Sequence, residues 1–157
     1  MQEKYPDLPT LGHLIGAARR RIKQALWAQL QPLGLTPQQF WVLLVVDEHG
    51  SLSLHELAQQ VWMDDPTASR VVKALTERNL LVSVADPTHG RRRAILLGPE
   101  GQRLQPSLRT LARTFRAFIE GGIGPRAEAQ LRKGLERVIA NMESLKGRLL
   151  LSEISKS

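Results

Sequence analysis

The chain has 157 residues, of which 22 are Lys or Arg and 15 are Asp or Glu, so its formal charge is +7. This length suits one domain, or one subunit of an oligomer, and is too short for two independent enzymatic domains. The absence of cysteine excludes disulfides, thiolate metal sites and thiol redox sensing, while the basic excess favours a polyanionic partner.

The N-terminal third predicts two helices. From Leu11 to Leu30, apolar residues recur every three or four positions around a basic run at residues 19–23, which is typical of an amphipathic helix. Thr36 and Pro37 then supply an N-cap and a first-turn proline for a second helix that extends to about Glu48. Since the second helix is apolar on most faces, we expect it to be buried.

The middle of the chain predicts a helix-turn-helix. Ser53 and Glu56 have the spacing of a capping box at the start of a short helix over residues 54–60, and Trp62-Met63 forms a turn. Asp65 is expected to cap a fourth helix, which begins with Pro66 and ends at Arg78.

A hairpin and two long helices follow. We expect Asn79 to end the fourth helix in a left-handed conformation. Two short β-prone runs, residues 80–85 and 92–97, flank a turn at residues 86–91 and predict a hairpin with a basic tip. The rest predicts one helix from Pro99 to about Glu120, a glycine-rich break, and a final helix over about residues 126–150. The fold class is therefore mainly α (α+β), a winged helix-turn-helix with a two-stranded β-wing.

The fourth helix has the side chains of a DNA-recognition helix. Opposite its apolar stripe it presents Thr67, Ser69, Arg70 and Lys73. Arg70 can fork onto a guanine, Lys73 suits a phosphate, and the two hydroxyls can donate or accept hydrogen bonds. Each of these groups alone is more often solvated surface, but their joint position on the second helix of a helix-turn-helix favours DNA contact.

The hairpin tip supplies a second set of candidate DNA contacts. Arg91, nearest the turn, is the best candidate for a narrow minor groove. Arg92 and Arg93 face opposite sides of a strand, so only part of the arginine cluster reaches one groove. Thr88 and His89 are candidates for contacts with the DNA backbone.

Other functional classes lack support in the sequence. The N-terminus, MQEKYPDLP, does not have the regions of a secretory signal, and the longest apolar run, residues 40–46, is too short to span a bilayer. We therefore expect a cytoplasmic protein without a membrane partner. The four histidines are scattered and lack the spacing of a metal site, and no enzyme motif stands in a plausible setting, so we expect no cofactor.

Three segments in order resemble the MarR family of bacterial winged-helix regulators. They are LTPQQFWVLL at residues 35–44, LA at 57–58 with DDPTASRVVKALTERNLL at 64–81, and DPTHGRRRAILLGPEG at 86–101. The resemblance implies a regulator, most simply a repressor, that binds a palindromic operator as a homodimer. It divides the chain into a dimerisation helix (1–34), a DNA-binding domain (35–98) and C-terminal dimerisation helices (99–157).

The apolar content of the C-terminal helices agrees with a dimer, because it exceeds what one small winged domain could cover. The repeating residues are Leu104, Leu108, Leu111, Phe115, Phe118, Leu131, Leu135, Val138, Ile139, Met142 and Leu145. Packing within one chain accounts for part of this set, and a partner subunit is needed for the remainder.

The chain departs from the family pattern at two positions. His89 stands where the family usually has an aspartate that braces the wing arginine, so the brace is absent or comes from Asp86. Gly98 replaces a common threonine cap. Below the usual histidine pKa of about 6.5, a charged His89 would add a phosphate contact and make DNA affinity mildly pH-dependent.

The resemblance also implies a small aromatic or phenolic effector bound between the dimerisation helices and the winged domain. Its lining would include His13, Ala17, Arg20, Trp41 and Phe115, which combine aromatic walls with a cation suited to a carboxylate. Core packing of Trp41 and solvation of Arg20 are the alternatives. The alternative function is a winged-helix module that binds DNA non-specifically or mediates protein interactions.

Overall fold

The computed structural model describes residues 9–85 and 93–146 and confirms the predicted fold class. Its elements, in chain order, are α1 (Leu11–Leu30), a 3₁₀ turn (Gln31–Leu33), α2 (Pro37–His49), α3 (Leu54–Gln60), α4 (Asp65–Thr76), β1 (Leu81–Ala85), β2 (Arg93–Leu97), α5 (Pro99–Glu120) and α6 (Pro125–Lys146). The predicted wing turn at residues 86–91, together with Arg92, lies outside the described residues, as does the predicted end of α6 beyond Lys146.

Two reciprocal capping boxes set the starts of α2 and α3. The Gln39 backbone N–H donates to Thr36 Oγ1 at 3.2 Å, and the Thr36 N–H donates to Gln39 Oε1 at 2.9 Å. The predicted box at Ser53 and Glu56 is confirmed by the same pair of bonds. Each box satisfies backbone donors that have no partner within the helix.

The predicted bounds of α4 were wrong at both ends. Its N-cap is Asp64 and not Asp65, because Asp64 Oδ1 accepts the Thr67 backbone N–H at 2.7 Å. The helix ends at Thr76 rather than Arg78, and β1 begins at Leu81 rather than Leu80. The reason for the early end is a tight turn, in which Asn79 adopts the predicted left-handed conformation with φ of 55°.

The hairpin pairs β1 with β2 in antiparallel register, from Leu81 opposite Leu97 to Ala85 opposite Arg93. Leu52, between α2 and α3, forms an additional bridge to Ile95 of β2. The Ile95 N–H donates to the Leu52 carbonyl at 2.7 Å, and the Leu52 N–H donates to the Ile95 carbonyl at 3.2 Å. This bridge, which the sequence analysis missed, joins the wing to the helix-turn-helix.

The hydrophobic core lies around α2, with contributions from α1, α3, α4, the hairpin and α5. Phe40 is fully buried at its centre. The core residues are Leu26, Leu30, Leu35, Phe40, Val42, Leu43, Val46, Leu52, Leu57, Val72, Leu75, Leu80, Leu81, Ile95 and Leu108. The expectation that α2 is buried on most faces holds only in part, because Trp41 is 43% exposed.

The chain divides into two compact units, residues 1–115 and 116–157. The first unit contains the winged helix and most of α5. The second contains the end of α5 and α6, and Phe118 in it is 83% exposed. Among residues 125–145 of α6 no side chain is buried, and only Glu128, Val138 and Ile139 are half-buried. No helix within the described ranges has the length and apolar character needed to cross a membrane.

Two glycines allow the start of α5 to approach the turn between α4 and β1. The Gly98 N–H donates to the Leu80 carbonyl at 2.9 Å, and the Glu100 N–H donates to the Asn79 carbonyl at 3.1 Å. A Cβ atom at Gly98 would lie 2.3 Å from the Asn79 carbonyl oxygen, and one at Gly101 would lie 2.2 Å from that of Leu80. Backbone contact therefore fixes the base of the wing.

We expect Gly101→Ala to destabilise the fold by about 1–3 kcal/mol, because its Cβ would displace the Leu80 carbonyl. Gly16→Ala is the control, since a Cβ there meets nothing within 4 Å and alanine in a helix is favoured by up to about 1 kcal/mol. Urea unfolding at one protein concentration measures both. Equal stability of the two variants would contradict the close approach at Gly101.

Candidate nucleic-acid interface

The polar face of α4 is solvent-accessible, opposite the side that anchors the helix. Ala68, Val72 and Leu75 are buried against the core. Of the four predicted contact residues, Ser69, Arg70 and Lys73 are exposed and Thr67 is half-buried. Because α4 is anchored to the core on one side, its exposed polar face is free to enter a groove of DNA.

Arg70 is held by a neighbouring side chain on the same face. Its Nη2 donates to Thr67 Oγ1 at 3.2 Å, one helical turn toward the N-terminus. The guanidinium is thereby drawn along the helix toward its first turn, and the Thr67 hydroxyl retains its own proton for a further hydrogen bond.

The N-terminus of α4 is already occupied by an anion from the protein. Asp64 accepts a first-turn amide, and Asp65 lies beside His55, whose Nδ1 is 3.2 Å from Asp65 Oδ2. A helix N-terminus ordinarily attracts a phosphate through its amides and dipole. Here two carboxylates oppose a phosphate at that end, so positive side chains must supply the attraction to DNA.

A groove of about 850 Å³ lies between α3, α4 and the hairpin. It contains two of the predicted contact residues, Ser69 and Lys73, and Lys73 and Arg93 are its cations. Glu56 and Glu77 also line it, so the surface has mixed charge. The full lining is Ser53, Leu54, His55, Glu56, Ser69, Val72, Lys73, Thr76, Glu77, Ser83, Arg93 and Ile95.

Arg93 braces the base of the wing, a role that the sequence analysis did not assign to it. Its Nε donates to Ser83 Oγ at 2.8 Å, and its Nη2 donates to the Ser83 carbonyl on the facing strand. The sequence could have indicated this contact only through the pairing of the strands, because Arg93 and Ser83 come close once the hairpin register is known. The predicted wing contacts, Thr88, His89, Arg91 and Arg92, lie outside the described residues.

Arg78, two residues after the end of α4, ties this part of the chain to the turn after α1. Its Nη1 donates to the Gly34 carbonyl at 2.7 Å and its Nη2 to the Leu33 carbonyl at 3.3 Å. Gly34 has a φ of 62°, in the left-handed region that favours glycine. No local pattern could reveal this contact, because the partners are more than 40 residues apart.

The five predicted effector-binding residues have separate environments. His13 and Arg20 are exposed, and His13 Nδ1 is 2.7 Å from Thr10 Oγ1. Ala17 and Phe115 are half-buried, and Phe115 packs against the core. The Trp41 ring lies edge-on to Phe40 with centroids 5.2 Å apart. None of the five lines the groove beside α4, and the described residues include no cluster of three potential metal ligands.

Comparison with known proteins agrees with this geometry. The MarR family model matches residues 33–92, and no curated protein matches the chain. The structure resembles Bordetella bronchiseptica BpsR, whose DNA binding is regulated by 6-hydroxynicotinic acid, with 25% identity and a TM-score of 0.74 over 86% of this chain and 96% of BpsR.

Two further solved structures have the same fold. A probable transcriptional regulator from Pseudomonas aeruginosa is 29% identical, with a TM-score of 0.68 over 83% of this chain and 97% of its own. Staphylococcus aureus MepR, in complex with DNA, is 18% identical, with a TM-score of 0.77 over 85% of this chain and 96% of its own. The likeness to MepR establishes the fold alone.

Proposed function

Through residues 33–92 this chain belongs to the MarR family of transcriptional regulators, and we propose from that premise that it binds a palindromic operator as a homodimer and represses transcription. The observation that carries the proposal is the exposed polar face of α4, with Arg70 and Lys73, beside the hairpin. MarR-family proteins are regulators and not enzymes, and a regulator of this kind works in the cytoplasm, where the bacterial chromosome lies.

We assign sequence reading to α4, and minor-groove and backbone contacts to the wing. Arg70 makes the specific base contact, with Thr67 and Ser69 beside it. Lys73 contacts a phosphate at the edge of the DNA major groove. Arg91 enters the minor groove, and the remaining contacts come from Thr88, His89 and Arg92. The MepR complex with DNA supports the use of this fold in DNA binding.

The exposed apolar residues of the terminal helices support a dimer. In the single chain, Leu11 is 60% exposed and Leu14 is 53% exposed, although both lie on the predicted apolar face of α1. In α5, Leu104, Leu108, Leu111 and Phe115 are accounted for by the intrachain core. Phe118 and four apolar residues of α6, Leu131, Leu135, Met142 and Leu145, remain exposed. A partner subunit would cover this surface through residues 1–34 and 99–157.

We propose a small aromatic or phenolic anion as the effector that releases DNA. The regulation of BpsR by 6-hydroxynicotinic acid supports this ligand class. The exposed Arg20 would pair with a carboxylate, while Trp41 and Phe115 would supply aromatic walls beside His13 and Ala17. The partly exposed ring of Trp41 is available for such a contact.

Selection of bound fragments from random DNA tests the operator and the dimer together. We expect a recovered palindrome whose half-sites lie about one helical turn apart, because two recognition helices of a symmetric dimer meet the same face of the duplex. Binding to selected and random fragments is then compared at fixed salt. Equal affinity for both would favour non-specific binding and overturn the sequence-specific proposal.

Substitutions on α4 separate base contacts from phosphate contacts. Arg70→Ala should weaken binding to the selected operator by roughly 1–3 kcal/mol and relax preference at one base position, whereas Lys73→Ala should weaken all sequences alike. Electrophoretic mobility shifts with a panel of single-base operator variants measure this difference. A uniform loss from Arg70→Ala would reassign its guanidinium to the DNA backbone.

A thermal-shift screen with aromatic acids tests the effector proposal. A ligand at about 100 times its Kd should raise the free energy of unfolding by about 2.7 kcal/mol and lower operator affinity in parallel. Arg20→Ala should reduce both effects, because it removes the cation proposed to pair with the carboxylate. No stabilisation by any compound, with unchanged operator binding, would argue for a regulator without this effector class.

A further inference from the structure

A largely buried carboxylate joins the winged helix to α5. Asp47 lies in the last turn of α2, and its side chain is only 10% exposed. The Arg109 guanidinium approaches it with two donors, Nε at 2.6 Å from Oδ2 and Nη2 at 2.9 Å from Oδ1. Gln105 donates a third bond from Nε2 to Oδ1. Both donors belong to α5, so this one carboxylate gathers side chains from adjacent turns of a single helix.

The surroundings keep this carboxylate charged. Burial alone would raise the pKa of Asp47, but hydrogen bonds from Arg109 and Gln105, together with the positive charge of Arg109, outweigh it and lower the pKa below the usual value. The paired Arg109 has a raised pKa for the same reason. Asp47 therefore loses its charge only when the pH falls below the ordinary range for aspartate, and at neutral pH the bidentate pair is fully ionised.

The donors lie on either side of a proline in the first half of α5. Pro106, inside the helix, immediately follows Gln105 and precedes Arg109 by three residues. Proline has no N–H, so the carbonyl of Gln102 lacks its usual partner within the helix, and helices commonly bend at such a point. The hydrogen bonds from Gln105 and Arg109 to Asp47 thus hold α5 on both sides of the position where the backbone hydrogen bonds of this helix are interrupted.

Apolar packing alone does not fix α5 here as closely. Leu108 is buried, while Leu104, Leu111 and Ala112 are only partly buried against the core. Apolar contacts are non-directional and tolerate small rotations of a helix. A bidentate arginine–carboxylate pair instead has a defined geometry, so the directional restraint at Pro106 comes from Asp47.

We propose that Asp47 is a positioning residue for operator recognition, holding α5 in one orientation on the winged helix across Pro106. The inference rests on the proposed function, in which α5 belongs to the dimerisation region. In such a dimer the orientation of α5 on each winged helix sets the separation of the two recognition helices. Asp47 and Arg109 therefore determine which half-site spacing the protein accepts, without touching DNA.

The test measures DNA affinity as a function of the spacing between the two half-sites. Fluorescence anisotropy is recorded with the selected operator, with fragments whose half-sites lie about one or two base pairs closer or farther apart, and with a single half-site. The wild type should show a sharp optimum. Asp47→Ala should lose at least about tenfold at that optimum, because simultaneous binding of both half-sites depends on geometry, while its affinity for a single half-site stays unchanged.

Matched variants separate positioning from loss of stability. Glu48→Ala is the control, since it removes an exposed carboxylate next to Asp47 in α2, outside the proposed dimerisation and DNA-contact residues, and should keep the wild-type spacing profile. Arg109→Gln is the milder substitution if Asp47→Ala does not fold, and it should also flatten the profile. Exchange of the pair, Asp47→Arg with Arg109→Asp, should restore part of the optimum.

The possible failures are distinguishable. If the wild type discriminates among spacings and folded Asp47→Ala or Arg109→Gln has the same profile, the positioning role is wrong and the proposed function stands. If Asp47→Ala lost as much affinity for the single half-site as for the operator, Asp47 would be a merely structural residue, and the inference would also be overturned. If the wild type itself shows no preference for operator or spacing, the proposed function fails, and the inference fails with it.

Discussion

The burial of α2 is the constraint on which the rest of the winged helix depends. Phe40, Leu43 and Val46 are fully buried, and α2 contacts α1, α3, α4 and β2. Burying an aromatic or aliphatic side chain stabilises a fold by about 1.5–3 kcal/mol relative to exposure, so this helix supplies much of the energy of the first unit. The position of α4, and therefore the direction of Arg70 and Lys73, follows from how it packs on α2.

Local signals made most of the fold predictable. Helical periodicity located α1, the Thr36 cap and the first-turn Pro37 located α2, and the capping box of Ser53 and Glu56 located α3, because such signals lie within a few residues of the backbone groups they satisfy. The start of α4 was placed one residue late, since two adjacent aspartates can both cap and only the geometry selects Asp64. The polar face of α4 was predictable for the same reason as the helices, from spacing.

Contacts between distant parts of the chain were not predictable. Arg78 reaches Gly34, Leu52 pairs with Ile95, and Arg109 meets Asp47 across 62 residues. In each case one partner alone looks like ordinary surface or loop. The single weak signal was Asp47 itself, an acidic residue directly after the long apolar run of α2, where a charge needs a partner to be tolerated.

The self-capped start of α4 also bears on how binding to DNA would respond to salt. The net charge of +2 over residues 64–93 is small beside the +3 of residues 1–30 and the +5 of residues 94–157. Asp64 Oδ1 already accepts the first-turn amide of Thr67, so that amide is not available to a DNA phosphate. Counterion release would then come from lysine and arginine side chains alone, at about 0.9 in the logarithmic salt slope for each phosphate neutralised. Ionic strength would therefore govern how tightly the protein holds any DNA, and the choice among sequences would remain with the neutral and bidentate contacts of α4.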